Sequence, residues 1–249
     1  MKSLPAVIAH RGGRDWAPEN TIAAFSNSVA AGVNGVEFDV HRCSTGELVV
    51  IHDDDLLRTT NGAGLVKDAS LAELKRLSAG LWFDKSFREE RVPLLTEVLD
   101  LFDKKMLIDI EIKNAPIGYE GIEEDLLYAI EPYRERLKFC VSSFDHHCLR
   151  RLRALDSEIE IGVLLAASMV EIAEYCAKFS AKYLIQDYYC LMPEAVREAH
   201  DAGLKVIVWT VNDKKQWQYL IDLGVYGICT DLPRDLLDYY KQFETSTTS

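Results

Sequence analysis

Short runs of β-branched and aromatic residues recur along the chain, and longer segments with apolar residues at helical spacing separate most of them. The runs are AVIAH (6–10), GVEFDV (35–40), MLIDIEI (106–112), FCVSSF (139–144), EIGVLL (160–165), YLIQDY (183–188), KVIVWTV (205–211) and YGICTD (226–231). Between them lie helical patterns such as TIAAFSNSVAAG, PLLTEVLDLFDK, EEDLLYAIEPYRERL, HHCLRRLRAL, SMVEIAEYCAKF, PEAVREAHDAG and KKQWQYLIDLG, and PRDLLDYYKQF ends the series. Gly32, Gly203 and Gly224 follow three of these helices, where a left-handed C-terminal cap needs glycine. Alternating strands and helices predict a parallel sheet. Eight βα units in 249 residues fit a closed (β/α)8 TIM barrel better than a doubly wound sheet. The dinucleotide pattern G-x-G-x-x-G is also missing after the first run.

One run breaks the alternation. LVVIHD (48–53) follows GVEFDV after only HRCSTGE, too few residues for a crossover helix. The turn-like Ser-Thr-Gly predicts a hairpin over 41–53. Residues 54–93 then form a small insertion after the second strand, with one helix in SLAELKRLSAG. The polar tail ETSTTS (244–249) reads as disordered, and the chain 1–249 as one barrel domain.

Composition narrows the function classes. Apolar residues make up 48% and charged residues 27%, which is globular, and no apolar stretch is long enough to span a bilayer, so no stable membrane insertion is expected. MKSLPAVIAH is too short in its apolar part for a signal peptide, so the expected location is the cytoplasm. The six cysteines are scattered without a C-x-x-C pair, which predicts reduced, mostly buried thiols. A net charge of −12 argues against a nucleic-acid partner. A small phosphorylated ligand requires a metal or a local basic cluster to reverse that field.

In such a barrel the reactive residues sit at the C-terminal ends of the strands. The first strand delivers His10 and Arg11, the second Glu37 and Asp39, the third Asp109, Glu111 and Lys113, and the seventh Trp209. Side chains alternate along a strand, so Glu37 shares a face with Asp39, and Asp109 with Glu111 and Lys113. Four carboxylates converging on one mouth repel one another without a counter-charge, and a hard divalent cation, Mg²⁺ or Ca²⁺, is the simplest remedy. His10 and His52 could serve as general base and acid, and Arg11 offers a planar fork suited to phosphate oxygens. Gly12 and Gly13 permit a tight turn beside a ligand. The rest of the opening stretch reads as structural: Asn20 or Thr21 as a helix cap, and Glu19 as an acid complementing the helix dipole. His41 is expected at the rim, and His146, His147 and His200 in ordinary surface or packing roles. Phe144 and Trp209 either line a pocket or cap the core.

Taken together, AHRG…APENT (9–21), EFDV (37–40), VVIHDDDLLRTTNGAG (49–64), VPLLTEVL (92–99), IEIK (110–113), VSSFD (141–145), VWTVND (208–213) and GICTDLP (227–233) resemble the glycerophosphodiester phosphodiesterase (GDPD) family over nearly the whole chain. The resemblance implies one divalent metal held by Glu37, Asp39 and Glu111, leaving Asp109 outside the set. It implies His10 and His52 as the acid–base pair, Arg11 and Lys113 as phosphate contacts, and Trp209 at the pocket wall. The expected reaction splits a glycerophosphodiester, such as glycerophosphocholine or glycerophosphoethanolamine, into glycerol 3-phosphate and an alcohol. Water and the glycerol 2-hydroxyl both remain open as nucleophile, and monomer and homodimer as assembly. Two alternatives stand beside this: a lysophospholipase D-like enzyme using the apolar cluster Leu81, Trp82, Phe83 and Phe87, and a non-catalytic barrel that binds a phosphometabolite. Those four side chains otherwise pack the insertion onto the barrel.

Overall fold

Each of the eight apolar runs becomes a parallel barrel strand, and LVV becomes a ninth strand outside the alternation. The strands are β1 (Ala6–His10), β2 (Gly35–Arg42), β3 (Leu48–Val50), β4 (Leu107–Ile112), β5 (Lys138–Ser143), β6 (Glu160–Leu165), β7 (Tyr183–Asp187), β8 (Lys205–Trp209) and β9 (Gly227–Thr230). The structure, a computed structural model, describes residues 4–103 and 106–246, the side chains of 243–246 excepted. Strands β1, β2, β4, β5, β6, β7, β8 and β9 pair in parallel in that order, and β9 returns to β1 to close the ring. The expected (β/α)8 barrel is therefore present.

The hairpin also forms as expected. β4 lies along one edge of β2 from Gly35 to Val40, while β1 covers only Gly35–Glu37 on the other edge. β3 occupies the place β1 vacates, antiparallel, pairing Val40 with Val50 and Arg42 with Leu48. The insertion carries a single-turn helix α2 (Leu71–Leu74), following α1 (Ile22–Ala31). Ser70 and Glu73 form a capping box at its start. The helix is shorter than SLAELKRLSAG suggests: it ends at Leu74, and Gly80 further on packs against the Phe87 backbone too closely for a side chain. The insertion has its own small core, built on Val49, Ile51, Leu56, Val66, Leu74 and Val92.

The outer helices are α3 (Leu95–Leu99), α4 (Ile122–Ile130), α5 (His146–Leu155), α6 (Ile172–Ala177), α7 (Pro193–Asp201), α8 (Trp217–Leu223) and α9 (Pro233–Ser246). Gly32 and Gly224 adopt the left-handed cap conformation at the ends of α1 and α8. The tail expected to be disordered divides: 244–246 continue α9, and 247–249 lie outside the described residues. The main core lies between strands and helices, where Phe25 of α1 meets Phe38 and Phe102 edge-on at 5.4 and 5.8 Å. Truncating Phe25 would cost about 3–5 kcal/mol. All six cysteines are free, and all but half-buried Cys190 are buried. Among the described residues, no helix is long and apolar enough to cross a membrane.

Inside the barrel, the inward residues change character along the strands. Ile8, Leu107, Tyr183, Ile185 and Ile207 help form an apolar floor. Two residues further along β1, β2 and β4, the same inward parity presents His10, Glu37 and Asp109, and then Asp39 and Glu111. The barrel thus places charge at its C-terminal mouth by strand alternation alone.

Candidate active site

The β2–β4 register pairs Glu37 with Asp109 and Asp39 with Glu111. One carboxylate oxygen each from Glu37, Asp39 and Glu111 lie within 4.8 Å of one another, all three side chains being buried. Lys113 lies against two of them, with Nζ 2.6 Å from Glu111 and 3.0 Å from Asp39. Apart from this ion pair, Asp39 Oδ1 is buried without a hydrogen-bond partner among the described residues. Burial pushes Glu37 well above the usual carboxylate range and Glu111 to about 7, with the neighbouring acids adding to both. Asp39 moves the other way: burial opposes it, but Lys113 and Arg11 hold it well below its ordinary value. An all-oxygen trio in which burial keeps Glu37 and Glu111 from ionising unaided, and in which Asp39 offers a buried oxygen, suits a hard divalent cation. Asp109 is bound by the Ser142 hydroxyl at 2.9 Å, and burial raises it to about 7. It lies level with Glu37, one layer below Asp39 and Glu111.

Both candidate histidines are backed by an aspartate. His10 Nδ1 lies 2.6 Å from Asp231 Oδ1, and His52 Nδ1 lies 2.6 Å from Asp53 Oδ1. For Asp231 burial alone would raise the pKa, and for Asp53 burial also opposes the shift, yet both aspartates sit below the usual range. His10 holds Asp231 down, while Arg58, more than His52, holds Asp53 down. An ionised carboxylate only accepts, so each Nδ1 donates and each Nε2 is left for chemistry. His10 Nε2 lies 3.9 Å from Glu37. Burial pushes both imidazoles below the ordinary histidine value, favouring the neutral ring.

The turn after β1 is built for close approach. Arg11, Gly12 and Gly13 all take positive φ. A side chain on Gly12 would strike Ala24, and one on Gly13 would strike the Trp16 ring. This folding-back brings the Arg11 amide to Glu37 at 3.1 Å and its guanidinium to Glu19 at 2.7 Å and Asp39 at 3.5 Å.

The structure thus brings His10, Arg11, Glu37, Asp39, Glu111 and Lys113 into one connected cluster. Trp209 lines the cavity that His10, Glu37 and Glu111 share, with its ring 5.6 Å from Phe144. His52 joins through a chain of ion pairs. Arg58 bonds Asp53 and also Glu19, and Glu19 in turn contacts Arg11 and Arg14.

Two readings from sequence, of Glu19 and His41, need correction, and the open choice of helix cap is resolved. Glu19 is no exposed dipole partner: its side chain is 1% exposed and holds three arginines. Burial would raise it, but Arg58, Arg11 and Arg14 keep it at about 2. Thr21 is the cap of α1, whereas Asn20 turns inward and donates to Asp39 at 2.9 Å. His41 is not at the rim but wholly buried, because β3 and Tyr119 cover it. Its Nε2 lies 3.1 Å from the His52 carbonyl, to which it donates, and the Tyr119 hydroxyl supplies the bond at Nδ1. Asp231, Asp53 and Arg58 were missed. Asp53 stands next to His52 and Asp231 at the end of the last strand, and both positions were readable; nothing local marks Arg58.

Fold and site together define a (β/α)8 barrel whose mouth joins a carboxylate trio to two aspartate-backed histidines. The family model described as the glycerophosphoryl diester phosphodiesterase family matches residues 10–235. A glycerophosphodiester phosphodiesterase of Caldanaerobacter subterraneus is 42% identical over 243 residues, covering 97% of this chain and 99% of its own. One from Bacillus altitudinis is 37% identical over 92% of this chain and 96% of its own. Among solved structures, an Oleispira antarctica phosphodiesterase in complex with the product sn-glycerol-3-phosphate superposes with a TM-score of 0.86 at 32% identity, covering 96% of this chain and 97% of its own. The chain belongs to the glycerophosphoryl diester phosphodiesterase family, a class of enzymes.

Proposed function

We propose that this enzyme hydrolyses small glycerophosphodiesters, such as glycerophosphocholine or glycerophosphoethanolamine, to glycerol 3-phosphate and the free alcohol. The observation that carries the reading is the pair of Nδ1-anchored histidines beside the Glu37–Asp39–Glu111 trio. The product bound to the Oleispira relative supports the same reaction. The trio would hold one Mg²⁺ or Ca²⁺, which when bound supplies positive charge to the non-bridging phosphate oxygens. Arg11 and Lys113 orient the phosphate and add to that charge. One histidine takes a proton from the nucleophile through Nε2, and the other gives a proton to the departing alcohol oxygen. Trp209 lines the cavity, and Phe144 packs against its ring.

The test is glycerol 3-phosphate release from glycerophosphocholine by metal-stripped protein, with Mg²⁺ or Ca²⁺ restored. Release that appears only with metal is expected; equal release without metal would remove the trio's role. The lysophospholipase D-like reading retains one supporting observation: Leu81 and Trp82 of the insertion are exposed, while Phe83 and Phe87 pack on each other. Faster turnover of lysophosphatidylcholine than of glycerophosphocholine would favour it.

A further inference from the structure

We propose that Arg58, on the insertion, is a positioning residue that fixes the tautomer and ring direction of His52 through Asp53, using Glu19 as its anchor. The inference rests on the acid–base role given to His52 above. Arg58 spans two carboxylates at once. Its Nε and one terminal nitrogen bond Asp53 at 2.6 and 2.9 Å, and its two terminal nitrogens bond Glu19 at 2.9 and 2.8 Å. Only a guanidinium has the planar, multi-donor shape to hold both acids in one plane.

The need for such a clamp follows from where His52 sits. It lies just past β3, outside the barrel wall, with 30% of its side chain exposed, and Asp53 is 24% exposed. Among the described residues, Asp53 is the hydrogen-bond partner of the His52 ring. A half-exposed aspartate is free to rotate into water, and the ring it holds would then exchange tautomers. Arg58 removes that freedom by occupying both Asp53 oxygens. Glu19 gives Arg58 a fixed point, because Glu19 is buried and pinned by Arg11 and Arg14. Arg14 also reaches Asp231, the partner of His10, at 3.4 Å. The ion-pair chain therefore runs from one histidine to the other, and Arg58 is the link through which the insertion joins it.

The experiment compares Arg58→Ala and Arg58→Lys with the unaltered protein. Nitrogen-15 NMR reads the His52 tautomer, and glycerol 3-phosphate release reads kcat and KM. The wild type should show His52 with the proton on Nδ1. Arg58→Ala should show a mixture of tautomers and a kcat lower by about tenfold with KM within about twofold, the scale of one lost charge-assisted hydrogen bond. Added guanidinium should restore both. Arg58→Lys keeps the charge and guards against misfolding; it should bring back thermal stability without the single tautomer. An unchanged tautomer in folded Arg58→Ala overturns the proposal whatever the activity. A scrambled tautomer with unchanged kcat supports the positioning by Arg58 but removes His52 from the chemistry, which separates the two failures.

Discussion

His10 ends a barrel strand with 11% of its side chain exposed, and its aspartate arrives from 221 positions away, at the close of the last strand. His52 follows a three-residue strand outside the ring, 30% exposed, and takes its aspartate from the next position. The partner of His10 is held mainly by the fold: Asp231 accepts from Asn212 at 2.7 Å, barrel closure fixes β1 beside β9, and the Arg14 ion pair reaches it only at 3.4 Å. The partner of His52 is held by charge, through Arg58 and Glu19. A rigid ring needs few added contacts to orient a side chain, whereas a residue on an insertion needs a dedicated anchor.

The largest effect expected is on the histidines themselves. His10→Ala and His52→Ala should each lower glycerol 3-phosphate release by about 10²–10⁴-fold while the melting curve stays near that of the parent. A folded variant with near-normal release would take that histidine out of the comparison.

Glu19 comes next, and its effect is on stability. Removing one partner of a buried ion-pair cluster costs about 3–5 kcal/mol, so Glu19→Gln should shift the urea midpoint markedly at pH 7. The sign with pH follows from its pKa of about 2, below the ordinary 4.5. Stability from a carboxylate held low is complete above its unfolded value and is lost as pH falls through the folded one. The gap between parent and Glu19→Gln should therefore narrow as pH falls from 4.5 toward 2. A gap that does not change with pH would mean that packing, not charge, makes Glu19 important.

The two aspartates test the comparison most directly. Asp231→Asn and Asp53→Asn each remove a charged acceptor, a loss worth about tenfold to a hundredfold in kcat. Asp231→Asn should sit at the upper end, because its histidine is more buried and an uncompensated change there is screened less by water. Equal losses would show that burial does not distinguish the two.

Much of this was legible beforehand. The barrel followed from the alternation of runs, and the hairpin from a connection too short for a helix. Side-chain parity on two strands put four carboxylates at the mouth, and the family resemblance singled out Glu37, Asp39 and Glu111 among them. What escaped notice depended on contacts between distant segments. His41 has the parity of Glu37 and Asp39, yet only the packing of β3 and Tyr119 shows that it is enclosed. Glu19 looks like any acid before a helix until Arg11, Arg14 and Arg58 are seen around it.

Sequence by itself determined the order of strands and helices, the face on which each acid lies, and the histidines available at the mouth. These are local properties, set by periodicities of two and 3.6 residues along a few turns of chain. Tertiary structure alone decided which carboxylate backs which histidine, and that an arginine on the insertion reaches a glutamate after the first strand. Those pairings depend on ring closure and on where an irregular segment comes to rest, and neither leaves a periodic trace in the chain.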